Sequence, residues 1–145
     1  MTNEVYSNTP EKTEELGVCI ASCLSPGMVV ALRGEVAAGK TCLVKGIARG
    51  LGIQDTITSP TYTILSEYQG TCPLYHIDAY RLNGDEDFIN SGLEEFLTGD
   101  GIAVIEWSER IPASLPPDAI TITIQIASSK NRIFHIEGLD CLNEQ

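Results

Sequence analysis

The segment GEVAAGKT at residues 34–41 constrains the fold of this chain more than any other stretch. It matches the pattern G-x-x-x-x-G-K-[ST], in which glycines let the backbone curl so that successive N–H groups point inward at phosphate oxygens. The apolar run at 28–32 before it suits a buried parallel strand, and the pattern at 40–49 after it suits a helix. This order predicts an α/β fold built around a phosphate-binding loop.

The loop positions have predicted roles in holding a nucleotide. Lys40 would reach the β- and γ-phosphates, and the hydroxyl of Thr41 would ligate Mg²⁺. The positive end of the following helix would face the same anion. ATP is favoured over GTP because the chain has no N-K-x-D element for reading guanine. The residues expected to contact the nucleotide here are Val36, Ala37, Ala38, Gly39, Lys40 and Thr41.

Two carboxylates stand at the ends of apolar strands. Asp78 follows the run at 74–77, and Glu106 follows the run at 102–105. In a parallel sheet both would open at the edge where the phosphate loop lies, so they are candidates to hold Mg²⁺ and to position water. The alternative for either one is a solvated acid at a strand end.

Other polar and aromatic positions leave two readings open. The hydroxyl-rich segment 58–63, which contains Thr61, would either sense the γ-phosphate or simply begin a β-prone strand. Trp107, the only tryptophan, would pack near the nucleotide or fill the core. His76 and His135 have no partner at ligand spacing and are expected to be structural.

The charge balance excludes some partners. Twenty acidic and nine basic residues give a formal net charge of −11. Direct nucleic-acid binding and an anionic membrane surface are therefore disfavoured, and a bound anion must be held by a local arrangement. An acidic run reads either as a solvated helix face or as a docking surface for a basic partner: Asp85, Glu86, Asp87, Glu94, Glu95 and Asp100.

Length and pattern indicate one domain over residues 1–145. The predicted class is an α/β three-layer sandwich of the P-loop NTPase type, with a mostly parallel sheet and antiparallel strands at an edge. Predicted helices cover 13–24, 40–49 and 86–97, and predicted strands cover 5–7, 28–32, 62–65, 74–78, 102–106, 120–126 and 132–136. Five scattered cysteines, an odd number, are expected to be reduced thiols in a cytoplasmic protein with no membrane span.

An ordered set of motifs resembles the TsaE (YjeE) family of bacterial P-loop ATPases. The set is GEVAAGKT at 34–41, SPTYT at 59–63, Tyr68, HIDAYR at 76–81 and IEW at 105–107. That family takes part in forming N6-threonylcarbamoyladenosine at position 37 of tRNA. The resemblance implies a weak, Mg²⁺-dependent ATPase that supports a TsaB–TsaD protein complex.

The resemblance also assigns roles to individual residues. It implies that Lys40, Asp78 and Glu106 are catalytic and that Thr41, Asp78 and Glu106 hold the metal. It places Trp107 beside the nucleotide, gives Arg132 a contact with it, and puts Pro10 at the border of the adenine. The family loop is usually GDLGAGKT, so Ala37 stands where glycine is common and would be strained at a positive φ.

Two other functions stay open. A small-molecule kinase of the P-loop class fits the size and fold, although the five arginines are dispersed and no arginine-rich lid is visible. A non-catalytic module whose interactions are gated by nucleotide is the second alternative.

Overall fold

The computed structural model describes residues 2–34, 39–57 and 64–139. The strands in these ranges join one sheet in the order β1-β7-β6-β2-β5-β4-β3. The strands are β1 (Thr2–Ser7), β2 (Val29–Gly34), β3 (Leu65–Gln69), β4 (Pro73–Asp78), β5 (Ile102–Glu106), β6 (Ile120–Ile126) and β7 (Arg132–Glu137).

The centre of the sheet is parallel and its edges are antiparallel. Strands β6, β2, β5 and β4 run parallel to one another. Strand β3 pairs antiparallel with β4 at one edge, and β7 and β1 extend the other edge antiparallel. The predicted mostly parallel sheet with antiparallel strands at an edge is confirmed, and the structure adds a second antiparallel edge.

Helices cover both faces of the sheet and make the predicted three layers. On one face, α1 (Pro10–Ala21) and α2 (Lys40–Gly50) pack on alternate residues of β2, β4, β5 and β6. On the other face, α3 (Asp85–Asn90) and a 3₁₀ helix at Leu93–Leu97 pack on the intervening residues. A second 3₁₀ helix, Ser108–Arg110, follows β5. No helix in the described residues has the length and apolarity to cross a bilayer.

Helix α1 lies three residues earlier than the pattern predicts. The side chain of Thr9 accepts a hydrogen bond from the Lys12 amide at 3.1 Å and caps the helix, and Pro10 occupies its first turn. Proline is favoured there because its missing N–H would have no helical partner. The helix therefore begins at Pro10 and ends at Ala21, ahead of the turn that the sequence marks at 25–27.

The predicted helix at 86–97 is two separate elements. The first element is α3, and the second is the 3₁₀ helix. Between them Gly92 adopts φ 76°, a left-handed conformation that interrupts the helical path. Apolar residues at helical spacing on both sides still reach the same core, including Phe88, Leu93 and Leu97. The helical spacing of the apolar residues was predicted correctly, but the break at Gly92 was not predicted.

The prediction of reduced cysteines is wrong at one position. Cys23 is disulfide-bonded. Cys19, Cys42 and Cys72 are free. The expectation that every cysteine is reduced therefore fails at Cys23.

Candidate functional site

Lys40 begins α2 directly after the phosphate-loop sequence, and its side chain is buried. Its Nζ donates a hydrogen bond to the carbonyl oxygen of Gly34 at 2.9 Å and lies 3.8 Å from the ring centroid of Trp107. Burial lowers the pKa of Lys40 below its ordinary value of 10.5, and three nearby carboxylates oppose this shift: Glu106, Glu109 and Asp78. The amine is thus a buried cation that can donate to an anion, while the acids beside it suit a divalent cation bound together with that anion.

Asp78 and Glu106 lie side by side at the ends of β4 and β5. In the parallel register of β4 and β5, Asp78 is paired with Glu106 at the last position of both strands. Leu74 and Val104 pack in the same core cluster as α2, so by the alternation of side chains Asp78 and Glu106 face the α2 side of the sheet. The structure therefore brings both acids to the side where Lys40 stands, as their positions after apolar strands predicted.

Glu106 contacts a second titratable side chain on the neighbouring strand. Nε2 of His76 lies 2.5 Å from Oε2 of Glu106, and the imidazole is fully buried while the carboxylate is almost so. In the described part of the chain, the other imidazole nitrogen, Nδ1, is buried without a hydrogen-bond partner. Spacing along the chain does not predict this pair, because the contact depends on cross-strand register.

Trp107 follows Glu106 in a conformation that non-glycine residues rarely adopt. Its φ is 58°, the one positive φ among non-glycine residues in the described ranges. Its ring contacts that of Tyr80 at a tilt of 52°, with the centroids 4.9 Å apart, and the guanidinium of Arg110 lies 5.0 Å from the Tyr80 centroid. Trp107 lies beside Lys40 and also packs against the apolar core on the α3 face, so both readings of the residue stay open.

A cleft of about 480 Å³ opens next to the start of α2. Gly39 contributes one wall with φ 102°, and a Cβ on it would meet no atom within 4 Å. Pro10 at the start of α1 and Arg132 on β7 also line the cleft. The cleft therefore gathers three residues that lie far apart in the sequence, since Pro10 and Arg132 are 122 positions apart.

The oxygen donors around Lys40 fit a small, hard cation such as Mg²⁺. The described residues hold no group of three or more His, Cys, Asp or Glu side chains placed to bind a metal. Two adjacent carboxylates and the Thr41 hydroxyl in the first turn of α2 instead match an ion that takes further ligands from phosphate and water. Val36, Ala37, Ala38 and Thr61 lie outside the described residues, so their predicted contacts stay predictions.

Comparison with known proteins finds relatives over most of this chain. Residues 7–134 match the family model described as "Threonylcarbamoyl adenosine biosynthesis protein TsaE". The TsaE protein of Treponema pallidum is 47% identical over 126 residues, which are 87% of this chain and 93% of that protein. The chain belongs to the TsaE family. The TsaE protein of Bacillus subtilis is 40% identical over 124 residues, covering 85% of this chain and 77% of that protein.

A solved structure extends the TsaE comparison to three dimensions. Bacillus subtilis YdiB superposes with a TM-score of 0.81 at 33% identity, covering 99% of this chain and 93% of that one. Agreement over nearly the whole length confirms the α/β P-loop fold. It also confirms the family resemblance that the motifs at 34–41, 76–81 and 105–107 indicated.

Proposed function

We propose that this TsaE-family chain binds Mg²⁺ and ATP at the cleft beside Gly39, hydrolyses ATP slowly, and supports threonylcarbamoyladenosine formation in tRNA. The observation that carries the proposal is the setting of Lys40. Lys40 is the first residue of the helix that follows the phosphate-loop sequence, and the charges of Asp78 and Glu106 act on its amine. A buried cation beside two acids suits a nucleoside triphosphate that binds together with its metal.

The binding step would use the phosphate-loop sequence, the start of α2 and Lys40. Loop N–H groups and the N-terminal end of α2 would cradle the phosphates. Lys40 would exchange its contact with the Gly34 carbonyl for a phosphate oxygen, which is a stronger charge-assisted bond. Pro10 and Arg132 would flank the base and sugar end of the cleft.

The hydrolytic step falls to the two acids. Mg²⁺, when bound, neutralises charge that develops on the phosphates during transfer. Asp78 and the Thr41 hydroxyl would hold the metal, while Glu106 would hold metal or orient the attacking water. The carboxylate of Asp78 already accepts a hydrogen bond from the Tyr80 amide at 3.0 Å, which fixes its orientation.

The family membership supports the pathway. Threonylcarbamoyladenosine biosynthesis is the role in the description of the matching family model and in the names of the relatives. We propose that the partner is a complex of the TsaB–TsaD type. We also propose that the chain does not bind tRNA directly, because its net charge is −11. A cytoplasmic location would follow from this work on tRNA.

The test measures ATP turnover and tRNA modification together. Wild-type protein is assayed with and without TsaB and TsaD, beside Lys40→Ala and the matched control Lys45→Ala, an exposed lysine on the same helix. Loss of the phosphate contact should lower turnover and modification at least about tenfold in Lys40→Ala and leave Lys45→Ala unchanged. Lys40→Ala protein with full nucleotide binding and full tRNA modification would refute the proposal.

Glu106→Gln separates hydrolysis from gating. The isosteric amide keeps the side-chain shape but lacks the charge, so ATP should still bind while hydrolysis falls. If tRNA modification falls with hydrolysis, turnover is required. If modification persists, the nucleotide-gated module is correct instead, and phosphate found on a metabolite would indicate a kinase.

A further inference from the structure

His76 is a buried polar residue on the face of the sheet that holds the site. It lies in β4 two residues before Asp78, with none of its surface exposed. Its strand neighbour Leu74 and its register partner Val104 belong to the apolar core on that face. An apolar side chain would fill this position without the cost of desolvating an imidazole, so the histidine needs a reason.

The contact with Glu106 supplies the reason. The register pairs His76 with Val104 and Asp78 with Glu106, so His76 and Glu106 are diagonal neighbours on one face. The Nε2–Oε2 contact of 2.5 Å draws the carboxylate back along β4, away from the end of the strand. Within the described residues Oε2 is the Glu106 oxygen that makes a hydrogen bond, which leaves Oε1 for the site.

The same contact affects Lys40. Of the carboxylates whose charge favours the protonated form of Lys40, Glu106 has the largest effect. Yet across the described ranges Lys40 forms no ion pair with Glu106 and donates instead to the Gly34 carbonyl. A carboxylate released from His76 would be free to swing onto this desolvated amine, because an unpaired buried cation attracts the nearest anion strongly.

We propose that His76 is the positioning residue of the site: it holds Glu106 against β4, which keeps Lys40 free for phosphate and one carboxylate oxygen free for metal or water. The proposal rests on the nucleotide function proposed above. His76 acts only through Glu106 and touches no reacting atom, so it is not a catalytic residue.

The test uses ADP binding in EDTA, where neither metal nor hydrolysis contributes. Affinity is measured by calorimetry for wild type, His76→Leu, His76→Gln and the double variant His76→Leu with Glu106→Gln. His135→Leu is the matched control, since His135 lies on β7 and bonds with Gln125. Thermal unfolding of each nucleotide-free variant checks the fold, and His76→Met is a second apolar variant should His76→Leu not fold.

The expected pattern is a loss followed by a rescue. His76→Leu or His76→Met should weaken ADP binding about fivefold or more, because Glu106 then pairs with Lys40. The added Glu106→Gln should restore affinity to within about twofold, because a neutral amide does not hold the lysine. His76→Gln should stay near wild type, since its amide still donates to the carboxylate.

Two results would overturn the proposal while the nucleotide function stands. One is wild-type affinity in a folded apolar variant at position 76. The other is a loss that Glu106→Gln does not rescue, which is the behaviour of a purely structural residue. Wild-type protein that binds no ADP even with Mg²⁺ would instead contradict the nucleotide function, and this proposal would fall with it.

Discussion

Lys40 combines burial with a positive charge, and the two oppose each other. Burial lowers its pKa, while the carboxylates of Glu106, Glu109 and Asp78 favour the charged form. The ring of Trp107 and the carbonyl of Gly34 stabilise the cation from two further sides. The left-handed backbone at Trp107 costs about 1–2 kcal/mol, which these contacts and the ring contact with Tyr80 help to offset.

Tyr75 provides a residue-scale prediction of pH dependence. Its hydroxyl donates to Asp100 at 2.8 Å, and this bond, together with burial, raises the pKa of Tyr75 to about 12 from 10.0. A raised pKa in the folded state means that the stabilisation is complete below pH 10 and is lost as the pH rises toward 12. The free energy of unfolding should therefore fall more steeply above pH 10 in wild type than in Tyr75→Phe.

Urea unfolding of both proteins at pH 9, 10 and 11 checks this difference. Tyr6→Phe is the control, because Tyr6 is 68% exposed. Parallel curves for wild type and Tyr75→Phe would contradict the assigned bond to Asp100.

At the scale of single residues, the sequence predicted the acids at strand ends but not the side-chain contacts between neighbouring strands. Asp78 and Glu106 were predicted because each follows an apolar run, and strand ends share an edge in a parallel sheet. The contact of His76 with Glu106 was not, because two side chains thirty positions apart meet only through the β4–β5 register. Histidine spacing predicted a structural role for His76 and could not indicate which side chain it contacts.

Helices α1 and α2 approach so closely that glycine is required where they cross. A Cβ on Gly17 would lie 2.5 Å from the Leu43 carbonyl oxygen, and one on Gly46 would fall on the carbonyl of Glu14. A Cβ on Gly50 would meet that of Ala21 at 2.5 Å. This contact ties the start of α1, which lines the cleft, to the helix that carries Lys40.

Gly46→Ala tests this crossing at the scale of elements. Alanine is the better helix former by about 1 kcal/mol, so propensity alone predicts a gain. The clash with backbone atoms of Glu14 should instead cost about 2–4 kcal/mol of unfolding free energy.

Chemical unfolding measures the change. Gly99→Ala is the matched control, since its new Cβ would lie 3.4 Å or more from any neighbour and should change stability by under about 1 kcal/mol. A stabilised Gly46→Ala protein would contradict the close approach of the two helices.

Element boundaries show where sequence patterns stop being informative. Buried strands such as β5 were predicted well because every residue in them is apolar until Glu106. Strand β3 was predicted at 62–65 but spans Leu65–Gln69, and Tyr62 and Thr63 lie outside the described residues. An edge strand buries little, so its polar residues leave no clear hydrophobic pattern.

Over the whole molecule, acidic residues outnumber basic ones by twenty to nine, and two of the basic residues line the cleft together with Glu11. Lys130 and Arg132 line the main cleft, and Lys12 lines an adjoining one of about 420 Å³. The acidic run is not only a solvated face, since three of its members bond within the fold. Asp85 accepts from Ser114, Asp87 from the Asn83 amide, and Asp100 from Tyr75.

This distribution explains how a chain of net charge −11 could hold a polyanion. The attraction would be local, from Lys40, the end of α2 and the cationic rim of the cleft, against a repulsive global field. The sequence indicated the need for such an arrangement. The family resemblance gave Arg132 and Pro10 places beside the nucleotide, and the structure brings both to one cleft through the long-range pairing of β1 with β7.

The most direct test of this account is calorimetric titration of the protein with ADP in the presence of Mg²⁺. Wild type should bind one ADP per chain, Lys40→Met should bind at least about tenfold more weakly, and Lys45→Met should match wild type. Equal affinity in Lys40→Met and wild type, with both proteins folded, would contradict the assignment of this cleft as the nucleotide site.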